Sequence, residues 1–465
     1  MRKDFKCRRA LMKFCILRPQ TLYNFIFMPL VSIGLAILAL FMFIIVFRWH
    51  AFLSFLVVSI GVGFSQGMAL ESIVTSLENG IGNTLGFLVL ILALGAMLGK
   101  QVANSGAAQQ ISETLFRTFG VKHTQWAVML TGFIVGITLF YSVGFVILVP
   151  LVFTIARSTG LSLISIGLPM LAALSVTHGF LPPHPAPSAI AILFGADLGV
   201  TLLYGMVVSV PAIIISGPVL GRFLTQVEAQ PLQEFLAPKH YTKEELPSLW
   251  NSVITALLPV LLIAGATVFK TFLSSNNWLS EVLLFLGNPV IALLIAVVVS
   301  IFSLGVFRGQ SVKDSMTSFS SSLSGITSVL LIIAGAGGLK QLLIDSGLSN
   351  ALGTLLETSP FSPLLLGWLT AGLIRVAVGS ATVAGLTAAS LVLPLVQSGG
   401  VSPELMVLAI GSGSLMLSHV NDAGFWLFKE YFNLSIKDTL ATWTIMETSI
   451  GVSGLLGVLA LNALL

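Results

Sequence analysis

Charge is scarce in this 465-residue chain: 22 lysines and arginines and 18 aspartates and glutamates make up 9% of it, where a soluble domain carries about 25%. With 56% of the residues hydrophobic, a water-soluble fold is excluded and an all-α polytopic membrane protein is the class that remains. Cysteine is rarer still. Cys7 and Cys15 both stand in the amino-terminal leader, so the body of the chain can hold neither a disulfide framework nor a thiolate metal site. The net charge of +4 is no sign of nucleic-acid binding, because seven of the 22 basic residues lie between Arg2 and Arg18. A basic leader before an apolar run is a topological signal.

Uninterrupted apolar sequence is what the chain has in abundance. Runs without Asp, Glu, Lys or Arg include Pro29–Phe47, Ala51–Leu70, Asn79–Gly99, Thr124–Ala156, Ser158–Ala196, Leu246–Phe269, Val282–Phe307 and Val376–Pro403. About 20 residues suffice to cross the hydrocarbon. Thr124–Ala156 and Ser158–Ala196 exceed that and predict a reversal in or near the membrane. Thr439–Leu465 is interrupted only by Glu447. The most polar interval, residues 225–249, reads as a linker. It separates a first membrane unit (28–224), which follows the leader (1–27), from a second (250–465).

Across the linker the chain echoes itself at a displacement of about 240 residues. Gly95-Ala96 followed by Lys100-Gln101 recurs as Gly335-Ala336 followed by Lys340-Gln341. VPLV at Val149–Val152 is matched by LPLV at Leu393–Val396, and Thr177-His178 by Ser418-His419. Two copies of a membrane unit commonly lie in inverted orientation, with a substrate site where interrupted helices from both copies meet. Corresponding breakers are present. Pro182, Pro183, Pro185 and Pro187 follow the first Thr-His pair, and Val420–Gly424 follows the Ser-His pair. Proline lacks the amide hydrogen a helix needs, and irregular backbone at membrane depth persists only when buried in protein or lining a cavity. The competing reading is a loop outside the membrane. A second pair of breaks, Phe140–Gly144 and Gly379–Val383, reads as re-entrant hairpin tips. The runs Gly335–Gly338 and Gly411–Ser414 read as close helix packing.

The segments VTHGFLPPHPAPSAIA, VGSATVAGLTAASLVLPL and GSGSLMLSHVNDAGFWLFKEYFNLS resemble the gluconate:proton symporter (gluconate permease) family from about Met28 to Leu465. The resemblance implies an inner-membrane carrier for gluconate or related sugar acids, some relatives moving other small hydroxylated acids such as D-serine. It also implies a homodimer of inverted repeats working by an elevator motion, with no cofactor and no enzymatic activity. Two departures stand out. Relatives usually carry an acid where FYSVGF has Ser142, and a hydroxyl cannot bind a proton near neutral pH, so proton coupling must use another group or be altered. The residues before Met28 are not needed by the family pattern and read as an upstream-start extension.

A small hydroxylated anion leaving water needs a cation or helix dipole for its carboxylate and hydrogen bonds for its hydroxyls. The candidates are Ser142, Thr177, His178 and His184 from the first unit, and Ser380, Thr382, Ser418, His419 and Asn421 from the second. Arg375 sits inside an apolar span, where a charge costs about 3 kcal/mol by insertion scales. It reads as an electrostatic partner for the anion, as a snorkelling side chain or as half of a structural ion pair. Asp422, His178 and His419 are the candidate proton carriers, with Asp422 foremost as an acid at a helix break. The histidines equally suit hydrogen bonding to substrate or carbonyls. A metalloenzyme lacks any helical His-Glu spacing, and an anion channel lacks charged rings or a carbonyl filter. Orientation stays open, because a start near Met28 would make Arg48 the first positive loop.

Overall fold

Local chemistry sets where each helix begins and ends. In the computed structural model, residues 31–32, 34–36, 38–40, 42–229, 241–242, 244–272, 278–348, 361–420 and 422–465 are described. The leader, the centre of the linker and Asn421 lie outside them. The helices are α1 (Ala51–Ser65), α2 (Leu70–Asn104), α3 (Ala107–Phe119), α4 (Thr124–Gly136), α5 (Tyr141–Thr159), α6 (Leu163–Phe180), α7 (Pro185–Phe194) and α8 (Leu198–Phe223). There follow α9 (Leu249–Phe272), α10 (Trp278–Leu286), α11 (Pro289–Arg308), α12 (Val312–Asp345), α13 (Pro363–Val378), α14 (Ala381–Gln397), α15 (Pro403–Gly413), α16 (Ala423–Tyr431) and α17 (Ile436–Leu464). Among the described residues there is no strand.

Short polar side chains cap the helices that start inside apolar sequence. Asp197 accepts the amides of Gly199 and Val200 at the start of α8, and Ser402 accepts that of Leu405 at the start of α15. Ser311 and Asp314 form a reciprocal capping box at α12. Those Ser311 bonds, the hydroxyl first, hold the exposed Asp314 carboxyl below its usual range. Prolines begin α7, α11, α13 and α15, the one helical position where the missing amide costs nothing.

The long charge-free runs are each interrupted. Thr124–Ala156 is divided between α4 and α5, and Ser158–Ala196 supplies α6 and α7, separated by Leu181–His184. The breaks are offset from the sequence expectation: α5 already begins at Tyr141, which places Ser142 in a first helical turn, and Pro185 and Pro187 start α7 instead of prolonging the interruption. α14 begins at Ala381 with Ser380 as its cap, and the chain between α15 and α16 runs from Ser414 to Asp422.

Among the described residues, seven stretches are long and apolar enough to cross a membrane: α2, Leu163–Phe194, α8, α9, α11, Ile326–Asp345 and α17. Around their outside, large apolar side chains such as Phe223, Trp250, Leu261 and Leu373 are exposed, the surface expected where lipid replaces water. Inside lie α6, α7, α14 and α15, which are almost wholly buried. α7 and α15 have 10 and 11 residues, about half of a crossing.

Glycine governs how closely the helices approach. α2 and α12 pack along their lengths. A Cβ on Gly337 would sit 2.7 Å from Gly80 O and from Thr84 Cβ, closer than packed atoms can lie. Gly335 faces Phe55, and Gly411 lies against the carbonyl of Gly179. Replacing Gly337 with valine is expected to force α12 off α2 at about 2 kcal/mol. A lowered melting temperature and yield of the detergent-solubilised protein would report it, and an unaltered melting curve would refute this packing.

Candidate functional site

The interior helix ends surround one cavity of about 740 Å³, within the 300–1,000 Å³ typical of small-molecule sites. Residues before the linker contribute Lys100, Tyr141, Ser142, Ser175, His178 and Pro185. Residues after it contribute Ser322, Arg375, Ser380, Thr382, Asp422 and Glu447. The proline cluster and the Asp422 turn thus share a cavity although they are far apart in sequence.

Arg375 lies in the last turn of α13, four residues before Gly379, whose left-handed backbone (φ 79°) ends the helix. The side chain is only 3% exposed, so it does not snorkel. Its Nη2 donates to Asp422 Oδ2 and its Nη1 to Gly379 O. Asp422 Oδ2 also accepts the Ser418 hydroxyl, which in turn accepts Trp443 Nε1–H at 2.8 Å. Oδ1 accepts the Gly424 amide at 2.9 Å and so caps α16. One carboxylate therefore joins the tip between α13 and α14 to the break before α16 and to the start of α17. A buried charge is tolerable when its partner and remaining hydrogen bonds are supplied together.

Part of the lining has unused hydrogen-bonding capacity. Arg375 Nε and His178 Nδ1 are buried with no hydrogen-bond partner among the described residues, although buried polar atoms are paired in the great majority of cases. The Tyr141 ring stands 5.9 Å from Trp443 and 6.4 Å from His178. Glu447, on α17, is buried and accepts the Ser175 hydroxyl at 2.5 Å.

Six of the residues singled out in the sequence line the cavity: Ser142, His178, Arg375, Ser380, Thr382 and Asp422. The others have different surroundings. Thr177 is buried with its hydroxyl on Leu174 O, and His184 bonds Gly136 O at 2.6 Å, its ring edge-on to His178. Ser418 serves the Asp422 carboxylate, and His419 bonds Val376 O at 3.1 Å. These four are not cavity-lining, and Asn421 falls outside the described residues. Sequence reasoning missed Tyr141, Ser175, Glu447 and Lys100 as lining groups. Glu447 carried a usable signal, the lone acid in an apolar run, of the kind that drew attention to Arg375. Lys100 was visible only as part of the repeat, and Tyr141 and Ser175 look like ordinary helix residues.

The comparisons agree on one family. The family described as GntP family permease matches residues 28–464. An L-idonate transporter of the Gnt-II system of Escherichia coli is 48% identical over 438 residues, covering 94% of this chain and 100% of the relative. A high-affinity gluconate transporter of the same organism is 49% identical over 436 residues (94% and 99%). A gluconate permease of Bacillus subtilis is 45% identical over 445 residues (94% and 99%). Among solved structures, the YdaH transporter of Alcanivorax borkumensis superposes with a TM-score of 0.62 at 18% identity, over 85% of this chain and 90% of that one. MtrF of Neisseria gonorrhoeae superposes with 0.63 at 16% identity, over 84% of each. At such identities the likeness is one of fold.

Breaking the ion pair from either side leaves a charge behind in an interior site. Arg375→Gln and Asp422→Asn should each destabilise the solubilised protein by about 3 kcal/mol. The double variant should lose less than their sum, with a coupling of about 1 kcal/mol or more, read from thermal denaturation. Strict additivity would remove the pair from the fold's support.

Proposed function

The chain belongs to the GntP family of permeases, a family of multi-pass inner-membrane proteins, and from that premise we propose that it is a secondary carrier importing gluconate or a closely related sugar acid with protons. The observation that carries this reading is Arg375, a buried guanidinium whose Nε has no hydrogen-bond partner among the described residues, at a cavity lined from both halves of the chain. A free guanidinium N–H suits a carboxylate, while Ser142, Ser380, Thr382, Tyr141 and His178 offer hydroxyl, phenol and imidazole groups for a polyol. Lys100 at the lining adds a second cation. The choice of acid rests on relatives named for both gluconate and L-idonate at nearly equal identity, so an aldonate site tolerant of hydroxyl configuration is the reading adopted.

The mechanism follows from the architecture. The order and lengths of the helices support two repeats: α2 and α12 have 35 and 34 residues, and α5, α6 and α7 correspond in sequence position to α14, α15 and α16 at the same displacement of about 240 residues. We read these as inverted copies whose broken helices hold the substrate between them, with α6, α7, α14 and α15 as the moving core and the lipid-facing helices as its frame, in a homodimer. Within the site, Asp422 and Gly379 O hold Arg375 through two of its five N–H donors, and the others are left for the substrate carboxylate. Tyr141 and Trp443 stand edge to face at 5.9 Å as an aromatic wall of the cavity. Of the groups first considered as proton carriers, His178 lines the cavity, Asp422 is bound by Arg375, and His419 is turned toward a backbone carbonyl.

Proteoliposome counterflow with radiolabelled gluconate, challenged by idonate, hexuronates and D-serine with and without sodium, tests this function. A carrier shows exchange stimulated by aldonates, and a channel shows none. Arg375→Lys keeps the charge but loses the planar fork, so the gluconate KM should rise about tenfold, the equivalent of 1.4 kcal/mol. Unchanged kinetics would exclude Arg375 from the binding site.

A further inference from the structure

Glu447 has no part in the ion pair. It is buried on α17, its carboxyl accepts one hydroxyl, that of Ser175, and among the described residues no lysine, arginine or histidine stands within ion-pair distance of it. Asp422 is placed differently, since both of its oxygens are taken by Arg375, Ser418 and the Gly424 amide. Ser142, a hydroxyl, supplies no further acid. Glu447 is thus the one cavity-lining carboxyl among the described residues whose charge is not already matched at contact distance.

The charges of the lining can be counted. The ionisable groups facing the cavity are Lys100 on α2, Tyr141 on α5, His178 on α6, Arg375 on α13, Asp422 before α16 and Glu447 itself. With the phenol and the imidazole neutral, two cations oppose two carboxylates and the lining has no net charge. One proton on Glu447 changes that to a single positive charge, equal and opposite to one sugar-acid carboxylate. An anion entering a neutral, mostly apolar cavity would be an uncompensated charge, which is costly. The same anion entering a protonated cavity restores neutrality.

Resting on the carrier reading above, we propose that Glu447 is the proton carrier of this transporter, and that proton and substrate carboxylate occupy the cavity as a charge-neutral pair. A proton from the outer solution forms an O–H bond with the Glu447 carboxylate, the anion binds beside Arg375, and both leave on the inner side as that O–H bond breaks and the proton returns to water. Ser175 is a positioning residue: its hydroxyl orients the carboxyl toward the cavity and stabilises the ionised form.

Reconstituted wild-type protein and three variants, Glu447→Gln, Ser175→Ala and His178→Gln, are compared with radiolabelled gluconate across a pH series. The expected wild-type behaviour is accumulation under an inward proton gradient and an apparent KM that rises about tenfold per pH unit on the alkaline side, the limit for binding linked to one proton. Glu447→Gln mimics the protonated carboxyl permanently, so its counterflow persists but loses its pH dependence, and it does not accumulate substrate. Ser175→Ala still accumulates, with the KM transition displaced in pH. The proposal is overturned if folded Glu447→Gln accumulates gluconate with the wild-type pH profile, if it shows no counterflow at any pH, or if pH dependence disappears in His178→Gln while surviving in Glu447→Gln. Should Glu447→Gln fail to fold, Ser175→Ala decides, and an undisplaced transition overturns the proposal. Wild-type protein without gluconate counterflow would instead overturn the carrier reading.

Discussion

The contact between Arg375 and Asp422 is the constraint on which the rest of the interior depends. Either charge left without its partner at this joint would be costly, by about 3 kcal/mol. Together they cancel, and the surrounding donors and acceptors complete them: Gly379 O for the arginine, Ser418 and the Gly424 amide for the aspartate. Because the two residues stand at different chain breaks, the pair also locates those breaks relative to each other. Trp443, bonded to Ser418, extends the bracing to the start of the last helix. The ion pair of the cavity, the one found there among the described residues, is also its structural joint.

Interruption of helices is the second condition. A continuous helix satisfies its own backbone and presents only side chains, whereas a broken one exposes amides and carbonyls that must be bonded or face a cavity. Here the breaks are bonded economically. Ser380 caps α14, Asp422 caps α16, and the carbonyl of Gly136, at the end of α4, is met by His184. His184 and His419 therefore serve the backbone of the breaks. His178 alone of these three histidines turns to the cavity, although it and His419 occupy matching places in the sequence echo. Under a repeat reading the two copies share a backbone plan but divide the chemistry, with the ion pair in the second half and hydroxyl and aromatic lining drawn from both.

Much of this was legible in the linear chain. The shortage of charge and the length of the apolar runs dictate a helical membrane protein, since hydrocarbon leaves the backbone no other partners than its own. Runs too long for one crossing announced interruptions, and prolines and glycines marked them to within a few residues. The offsets have a physical cause: proline is a poor interior residue but a good first residue, so the cluster at Pro182–Pro187 ends one helix and starts the next. A charge inside an apolar run also stood out, and Arg375, Asp422 and Glu447 are all such charges.

By itself, then, the sequence determined the class of the fold, the neighbourhood of its breaks and the charges Arg375 and Asp422 as ones its interior has to accommodate, because those follow from local backbone chemistry and from the cost of charge in an apolar medium. Only the tertiary structure decided which of them meet. That Arg375 pairs with Asp422, that Glu447 faces the cavity with Ser175 as its bonded partner, and that Thr177, His184, Ser418 and His419 turn to internal partners depends on helix rotation and approach. Those are set by contacts such as Gly80 on Gly337 and Gly179 on Gly411, between residues hundreds of positions apart, and no local pattern encodes which face of a uniformly apolar helix will turn inward.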